Sequence, residues 1–166
     1  MAYEIVDLAD HHERDDFCCG RSDVIDRFCR DEALDHQERN ATRVKVALQD
    51  QRVVGFYTLA ATSLAKDRKL PLMLGGQNHI CPAFHLQMVA ICQHQDRNQL
   101  GPALILHAFS AAARAAESVG AMCVYIEAAC EKLVPYYEGY GFERISSKGL
   151  AMYAPISVVQ DALRPA

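Results

Sequence analysis

Apolar and polar segments alternate along the chain in a pattern that predicts an α/β protein. Residues 86–91 are mostly apolar, as in a buried strand, residues 93–99 are polar, and an apolar helix is predicted to begin at Gly101-Pro102. A helix start leaves backbone N–H groups unpaired and carries partial positive charge. This segment therefore predicts a site that can hold a phosphate or pyrophosphate group.

The pattern before this segment predicts three strands and one helix. Residues 3–8 alternate as an edge strand does, and Ser22 is a favourable N-cap for an amphipathic helix. Residues 43–48 and 53–64 are predicted to form a hairpin, because the polar residues 49–52 between them have the length of a hairpin turn.

The pattern after the segment predicts the remaining elements. Residues 122–126 indicate a second short buried strand, followed by a helix from residue 128 or 129 to about residue 139. Residues 142–145 and 150–154 are predicted to pair as a final hairpin, and residues 156–163 as a short C-terminal helix. No internal repeat is visible.

Composition narrows the class of protein. The chain has 166 residues, of which 51% are hydrophobic, so we expect one domain over residues 1–166. The net charge of −4 argues against a protein that coats nucleic acid by bulk electrostatics, although it leaves room for a local basic face. Seven cysteines without a secretory leader predict a reducing, cytoplasmic location, and no apolar run is long enough for a membrane span.

Histidines and cysteines cluster between residues 79 and 94, which raises the question of a zinc site. The cluster consists of His79, Cys81, His85, Cys92 and His94. Their spacings match no established zinc pattern, and Cys92 ends a predicted buried strand, where a free cysteine usually packs as a small apolar group. We therefore expect no metal ligands.

Several segments resemble known proteins in sequence and in order. Residues 53–60, 89–104 and 136–142 resemble the third strand, the acyl-CoA segment and the late aromatic segment of the Gcn5-related N-acetyltransferases. The sequence Phe17-Cys18-Cys19-Gly20 is similar to a motif of the acetyltransferase toxins of type II toxin–antitoxin systems. The resemblance covers residues 3–155 and implies a single-domain α/β acyl-CoA N-acyltransferase fold, with a mixed, mostly antiparallel sheet and helices on both faces.

The resemblance also implies where acetyl-CoA, the acyl donor, binds. Main-chain groups of Val89 and Ile91 would hold the pantetheine arm, and the loop with the helix start would hold the pyrophosphate. The implied binding residues are Val89, Ala90, Ile91, Arg97, Asn98, Gln99, Leu100, Gly101 and Ala103.

The pyrophosphate loop departs from the family pattern Gln/Arg-x-x-Gly-x-Gly/Ala. Asp96 introduces a negative charge, Gln99 replaces a glycine, and Pro102 removes one donor near the helix start. Arg97 can compensate with a charge-assisted pair. Both a retained acyl-CoA site and a repurposed cleft remain open from sequence.

The resemblance aligns Tyr137 with the family tyrosine that protonates the leaving thiolate. A phenol with an ordinary pKa of about 10 stays protonated at neutral pH and can act as this acid. The alternative is that Tyr137 belongs to an aromatic seal of the helix end, together with Tyr136, Tyr140 and Phe142. Glu127 and His85 are the candidates for a general base, unless a water path suffices.

The resemblance to the toxins implies acetyl transfer to the α-amine of aminoacyl-tRNA, which blocks translation. It also implies a ribbon-helix-helix antitoxin as partner and a homodimer. A phosphate-tracking face would require basic residues to converge. The candidates, several of them in an irregular segment predicted at residues 65–82, are Arg39, Arg43, Lys45, Lys66, Arg68, Lys69, Arg97 and Lys132.

Three other functions remain open at this point. The chain could be an acetyltransferase for a small-molecule amine, which would need no basic face. It could be a catalytically impaired binding protein of the same fold, with a decayed acyl-CoA loop. A metal-dependent enzyme would require the histidine and cysteine cluster to converge.

Overall fold

A computed structural model describes residues 3–64, 70, 74 and 80–165 of the chain. In these residues the strands are β1 Glu4–Asp7, β2 Arg43–Gln49, β3 Arg52–Leu64, β4 Cys81–Ile91, β5 Cys123–Glu127, β6 Glu143–Arg144 and β7 Ala151–Pro155. The helices are α1 Asp23–Arg27, α2 Ala33–Glu38, α3 Arg97–Ser118, α4 Val134–Glu138 and α5 Ile156–Ala162. A π-helical turn, Phe28–Glu32, joins α1 to α2, and a 3-10 turn, Glu131–Leu133, precedes α4.

The described strands form one mixed sheet in the order β1-β2-β3-β4-β5-β7-β6. The pairs β1–β2, β2–β3, β5–β7 and β6–β7 are antiparallel, and β4–β5 is parallel. The mixed, mostly antiparallel sheet predicted from the sequence is therefore confirmed. Within the described residues, no helix is both long and apolar enough to cross a membrane.

The chain divides into two compact units, of which the first comprises Met1–Ala60 and Gln87–Ala108. In this unit the ring of Phe56 on β3 contacts the rings of Phe17 and Phe28, with centroids 5.3 and 6.1 Å away. Neighbouring Gly55 lies instead against Leu100 and Leu104 of α3. Because successive strand residues point to opposite faces, β3 carries packed segments on both faces, as predicted.

The second unit comprises Ala61–Leu86 and Phe109–Ala166. One part of its core is formed by Cys81, Ala83, Cys123 and Tyr153, which are buried together. Another part is aromatic, since the ring of Phe109 lies 5.6 Å from that of Phe142. The single domain expected over residues 1–166 stays a prediction.

Two predicted hairpins are confirmed, with their turns where the polar residues indicated. Asp50 and Gln51 join β2 to β3 with φ of 49° and 65°, the left-handed backbone that a tight two-residue turn requires. Strands β6 and β7 pair as the final hairpin. Ser22 caps α1 as predicted, its hydroxyl accepting the Ile25 N–H at 3.4 Å.

Several predicted boundaries were wrong. Helix α3 begins at Arg97 rather than at Gly101-Pro102, because Asp96 caps it, and Pro102 lies inside the helix. Strand β4 begins at Cys81, five residues before the predicted strand at residues 86–91. The helix predicted from residue 128 or 129 is shorter, since α4 begins only at Val134, with proline at its first turn.

Candidate active site

The start of α3 is capped by the chain itself. A side-chain oxygen of Asp96 accepts the Asn98 N–H at 2.9 Å, and its carbonyl accepts the N–H groups of Gln99 and Leu100 at 3.2 and 3.0 Å. The N–H groups of Asn98 and Gln99 are donors that a helix start would otherwise offer to an anion, whereas the bond from Leu100 is the first regular bond of the helix. The Asp96 carboxylate thus supplies the negative charge that the positive end of the helix favours.

Arg97, the residue expected to compensate for this charge, is engaged elsewhere. Its guanidinium donates to the carbonyl of Cys19 at 2.7 Å. The neighbouring carbonyl of Cys18 accepts the Gln93 N–H at 2.9 Å. The loop that follows β4 is therefore tied at two points to the Phe17-Cys18-Cys19-Gly20 motif.

A buried carboxylate holds this motif from its other side. Asp26 on α1 accepts the Cys19 N–H at 2.8 Å and is 4% exposed. Burial alone raises the pKa of a carboxyl, but hydrogen bonds from Cys19 and Cys18 and the charge of Arg30 hold the pKa of Asp26 below its ordinary value. Asp26 therefore fixes the backbone to which Arg97 is bonded.

The edge of β4 beside Val89 and Ile91 is open in the described structure. The N–H of Cys92 donates to the Val54 carbonyl, and that of Met88 to the Thr58 hydroxyl, so both point toward β3. Main-chain groups alternate in direction along a strand, which turns those of Val89 and Ile91 the other way. The register in the described residues pairs β4 with β5 only at Ala83, Phe84 and His85, so this edge lies beyond the paired residues.

The other residues predicted to bind the coenzyme occupy different surroundings. By the same alternation, the main-chain groups of Ala90 point toward β3, and its side chain is buried. Leu100 and Gly101 are buried within α3, and Ala103 is half-buried. Asn98 and Gln99 are exposed on the first turn of α3.

These features decide how well the residues present fit acetyl-CoA. The free edge of β4 fits a pantetheine arm, whose amides can pair with main-chain groups as a strand does. The start of α3 fits a diphosphate poorly, because the Asp96 carboxylate occupies the Asn98 N–H and adds a negative charge, and Arg97 is bonded to Cys19. Of the two halves of the predicted coenzyme site, the edge of β4 is therefore suited to its part of acetyl-CoA and the start of α3 is not.

Tyr137 lies in the second unit, on α4, where its side chain is half-buried. Its ring packs edge-on against those of Tyr136 and Phe142, with centroids 5.4 and 5.9 Å away. The Tyr137 carbonyl accepts the N–H groups of Tyr140 and Phe142. The ring thus takes part in the predicted aromatic seal, and this packing holds the phenol in one orientation.

The two candidate bases, His85 and Glu127, are joined in the same unit by Tyr125. The rings of His85 and Tyr125 lie 4.9 Å apart on paired strands, and the Tyr125 hydroxyl donates to Glu127 at 2.8 Å. Burial lowers the pKa of His85, and the Glu127 charge offsets part of this effect. Burial and the bond to Glu127 raise the pKa of Tyr125 to about 12. The cluster therefore presents a neutral imidazole at neutral pH.

The basic residues expected to track phosphates are largely engaged where the structure describes them. Arg39 pairs with Asp35, Lys45 pairs with Asp7 at 2.7 Å, and Arg43 donates to Asn40 at 2.9 Å. Lys132 is exposed in the 3-10 turn before α4. Apart from Arg97, which is bonded to Cys19, the remaining candidates are Lys66, Arg68 and Lys69, and these lie outside the described residues.

The histidine and cysteine cluster does not form a metal site where it is described. Across residues 3–64 and 80–165, no group of three or more His, Cys, Asp or Glu side chains could hold a metal ion. His79 lies outside the described residues. Cys81 and Cys123 are buried with their sulfurs 3.9 Å apart, and burial raises the pKa of both thiols.

Sequence reasoning missed two features of the site. The cap at Asp96 has a local signal, since Asp96 followed by Gln99 matches a capping-box pattern that competes with Pro102 as a helix start. Tyr125 has no such signal. It becomes relevant only because strand pairing places it between His85 and Glu127.

Comparisons with known proteins give related sequences and related structures. No family model matches the chain. The sequence is 27% identical over 119 residues, 72% of each chain, to a tRNA-acetylating toxin of Mycobacterium tuberculosis. The fold is similar to a tyrosine-to-phenylalanine mutant of KacT, with a TM-score of 0.86 and 18% identity over 97% of this chain and 99% of that one.

Structures of the toxin AtaT are also similar, among them two complexes with ligands. AtaT complexed with acetyl-methionyl-tRNAfMet matches with a TM-score of 0.85 and 18% identity over 98% of this chain and 100% of that one. A mutant AtaT bound to acetyl-CoA and the C-terminus of the antitoxin AtaR matches with a TM-score of 0.82 and 19% identity over 98% and 99%. The chain therefore has the Gcn5-related N-acetyltransferase fold and is similar to the acetyltransferase toxins of toxin–antitoxin systems.

Proposed function

We propose that this protein is an acetyl-CoA-dependent N-acetyltransferase that acetylates the α-amine of aminoacyl-tRNA and so blocks translation. The observation that carries the proposal is the open edge of β4 at Val89 and Ile91, which suits an extended acyl-pantetheine arm. Sequence similarity to a tRNA-acetylating toxin and the fold of AtaT, which has been solved with acetyl-methionyl-tRNAfMet, support the choice of acceptor.

The reaction forms a bond between the acceptor nitrogen and the acetyl carbonyl carbon and breaks the carbon–sulfur bond. Acetyl-CoA supplies the acetyl group as an activated thioester. Main-chain groups of Val89 and Ile91 hold the arm that carries it. The Tyr137 hydroxyl gives its proton to the leaving sulfur, a role that suits a phenol held in place by Tyr136 and Phe142.

The second proton of the reaction leaves the acceptor amine. His85 is the better of the two candidate bases, because its lowered pKa keeps the imidazole neutral and able to accept a proton at neutral pH. Glu127 already accepts a hydrogen bond from Tyr125, so its role is to hold the Tyr125 phenol beside the imidazole. We therefore assign proton acceptance to His85 and positioning to Tyr125 and Glu127.

The expected partners follow the same similarity. The C-terminus of the antitoxin AtaR is bound to AtaT in related structures, so we propose that an antitoxin of ribbon-helix-helix type neutralises this protein. We further propose a homodimer in the bacterial cytoplasm, where charged tRNA is available and the seven thiols stay reduced.

A small-molecule amine is the second candidate acceptor, and one observation favours it. Arg39, Arg43 and Lys45 are bonded to neighbouring side chains, which weakens them as phosphate contacts. The two functions differ in one measurable respect. A tRNA acceptor predicts a rate that falls steeply with salt, whereas a small amine does not.

The deciding experiment incubates the protein with aminoacyl-tRNA, a mixture of polyamines and amino sugars, and labelled acetyl-CoA. We expect the label on the aminoacyl ester, and a lower rate when Lys66, Arg68 and Lys69 are changed to glutamate. Label only on the small amines would replace the toxin function with the second candidate. Absence of any transfer, with coenzyme still bound, would leave a non-catalytic binding protein.

A further inference from the structure

We propose that the Asp96 carboxylate takes the place of a bound phosphate at the start of α3. The protein then recognises its acyl donor through the pantetheine arm and gains little binding energy from the diphosphate. This inference rests on the proposed function and concerns which part of the donor is bound. The substrate class it defines is acyl-pantetheine thioesters, with or without a nucleotide.

The first observation is the occupied start of α3. The Asp96 carboxylate accepts the Asn98 N–H at 2.9 Å, where a phosphate oxygen would otherwise compete. A diphosphate that approached this helix would meet a fixed negative charge. It would also have to displace a hydrogen bond, because the same N–H cannot serve two strong acceptors equally well.

The second observation is the position of Arg97. Its bond of 2.7 Å to the Cys19 carbonyl crosses from α3 to a segment that Asp26 holds in place. Turning Arg97 toward a phosphate would break this bond and leave the carbonyl without its charged donor. Arg97, the cation next to Asp96 in sequence, therefore stabilises the fold and does not bind the ligand.

The third observation concerns the loop between β4 and α3. Gln95 donates its N–H to the Cys92 carbonyl, and its side chain joins Tyr3 and Gln49 at 3.1 and 3.0 Å. Gly20 adopts a φ of +70°, and a Cβ there would lie 2.7 Å from the Gln93 side chain. The loop is thus held against its neighbours at Gln93 and Gln95.

The edge of β4 stands in contrast to this loop. The main-chain groups of Val89 and Ile91 point away from β3 and lie beyond the residues paired with β5. Backbone pairing with the amides of a pantetheine arm requires no phosphate. The edge of β4 can therefore bind the pantetheine arm, whereas Asp96 occupies the position at which the diphosphate would bind.

The test compares binding of coenzyme A and of pantetheine, which lacks the nucleotide and diphosphate, by isothermal titration. We expect the two dissociation constants to agree within about tenfold, since the diphosphate adds little. Turnover with acetyl-CoA and S-acetyl-pantetheine should agree within a similar factor. Coenzyme A that binds about 100-fold more tightly than pantetheine would overturn the inference while leaving the acetyltransferase function intact.

One variant separates the effect of the Asp96 charge from the effect of the helix cap. Asp96→Asn keeps a favourable N-cap and removes the negative charge. We expect it to tighten coenzyme A binding by about three- to tenfold and to leave pantetheine binding unchanged. Asp23→Asn, in the exposed first turn of α1, is the matched control and should change neither constant.

The outcomes separate the two proposals. Unchanged coenzyme A affinity in Asp96→Asn would overturn the role of Asp96. Failure of the wild-type protein to bind either ligand, together with no acetyl transfer, would overturn both this inference and the proposed function.

Discussion

The imidazole of His85 on β4 lies against the ring of Tyr125 on β5, with the two ring centroids 4.9 Å apart. His85 is half-buried, and burial lowers its pKa from the ordinary value of 6.5, an effect that the charge of Glu127 partly offsets. Because a base must be neutral to accept a proton, the acid limb of the pH profile of kcat/KM should fall below pH 6.5.

His85→Gln should remove that acid limb and lower kcat by about 10²-fold, the usual contribution of a general base. The measurement is kcat/KM from pH 5 to 8 with acetyl-CoA saturating. His11→Gln, at an exposed position, is the control and should keep the wild-type profile. A His85→Gln profile that still shows the acid limb would assign the base elsewhere.

Tyr137→Phe should keep the fold, because the phenylalanine ring preserves the contacts with Tyr136 and Phe142. It should lower turnover by about 10²-fold or more, since it removes the proposed acid, while coenzyme affinity stays unchanged. Tyr140→Phe is the control, because it removes a neighbouring hydroxyl, which donates to Tyr136 at 3.3 Å and has no proposed part in the reaction. It should leave turnover unchanged. Equal activity in both variants would leave Tyr137 with a packing role only.

Gly20→Ala should destabilise the protein by about 1–2 kcal/mol, because an L-residue is disfavoured at a φ of +70°. The added Cβ would also meet the Gln93 side chain at 2.7 Å. Gly120→Ala, where nothing lies within 4 Å of the added Cβ, is the control. Urea unfolding measures both, and equal stabilities would mean that the turn at Gly20 relaxes freely.

His12 should make the folded protein sensitive to acid. Its Nδ1 accepts the Ala9 N–H at 3.1 Å, and burial, with the charges of His11 and Arg14, lowers its pKa below 6.5. The unfolded chain then binds the proton more readily, so the free energy of unfolding falls as pH drops below 6.5.

His12→Asn tests this dependence, since the amide oxygen can still accept the Ala9 N–H but does not titrate. The loss of stability between pH 7 and pH 5 should become smaller in this variant, as measured by thermal unfolding. His36→Asn, at an exposed site, should keep the wild-type dependence. An unchanged slope in His12→Asn would remove His12 as a source of acid sensitivity.

Local sequence determined most of the fold. The polar residues 49–52 predicted the turn at Asp50 and Gln51, and Ser22 predicted the start of α1, because turns and caps depend on residues within a few positions of each other. The order of strands and helices, with the resemblance of a few segments, was enough to predict the acetyltransferase fold that the comparisons support.

Tertiary structure decided how the candidate site is arranged. The sequence placed an arginine beside a phosphate loop, but only the folded chain shows Arg97 bonded to a carbonyl 78 residues away. In the same way, strand pairing brought Tyr125 beside His85. The bond from the Asn98 N–H showed that the Asp96 carboxylate is the cap of α3. Such contacts escape sequence reasoning because they depend on which distant segments meet, and no local periodicity records that.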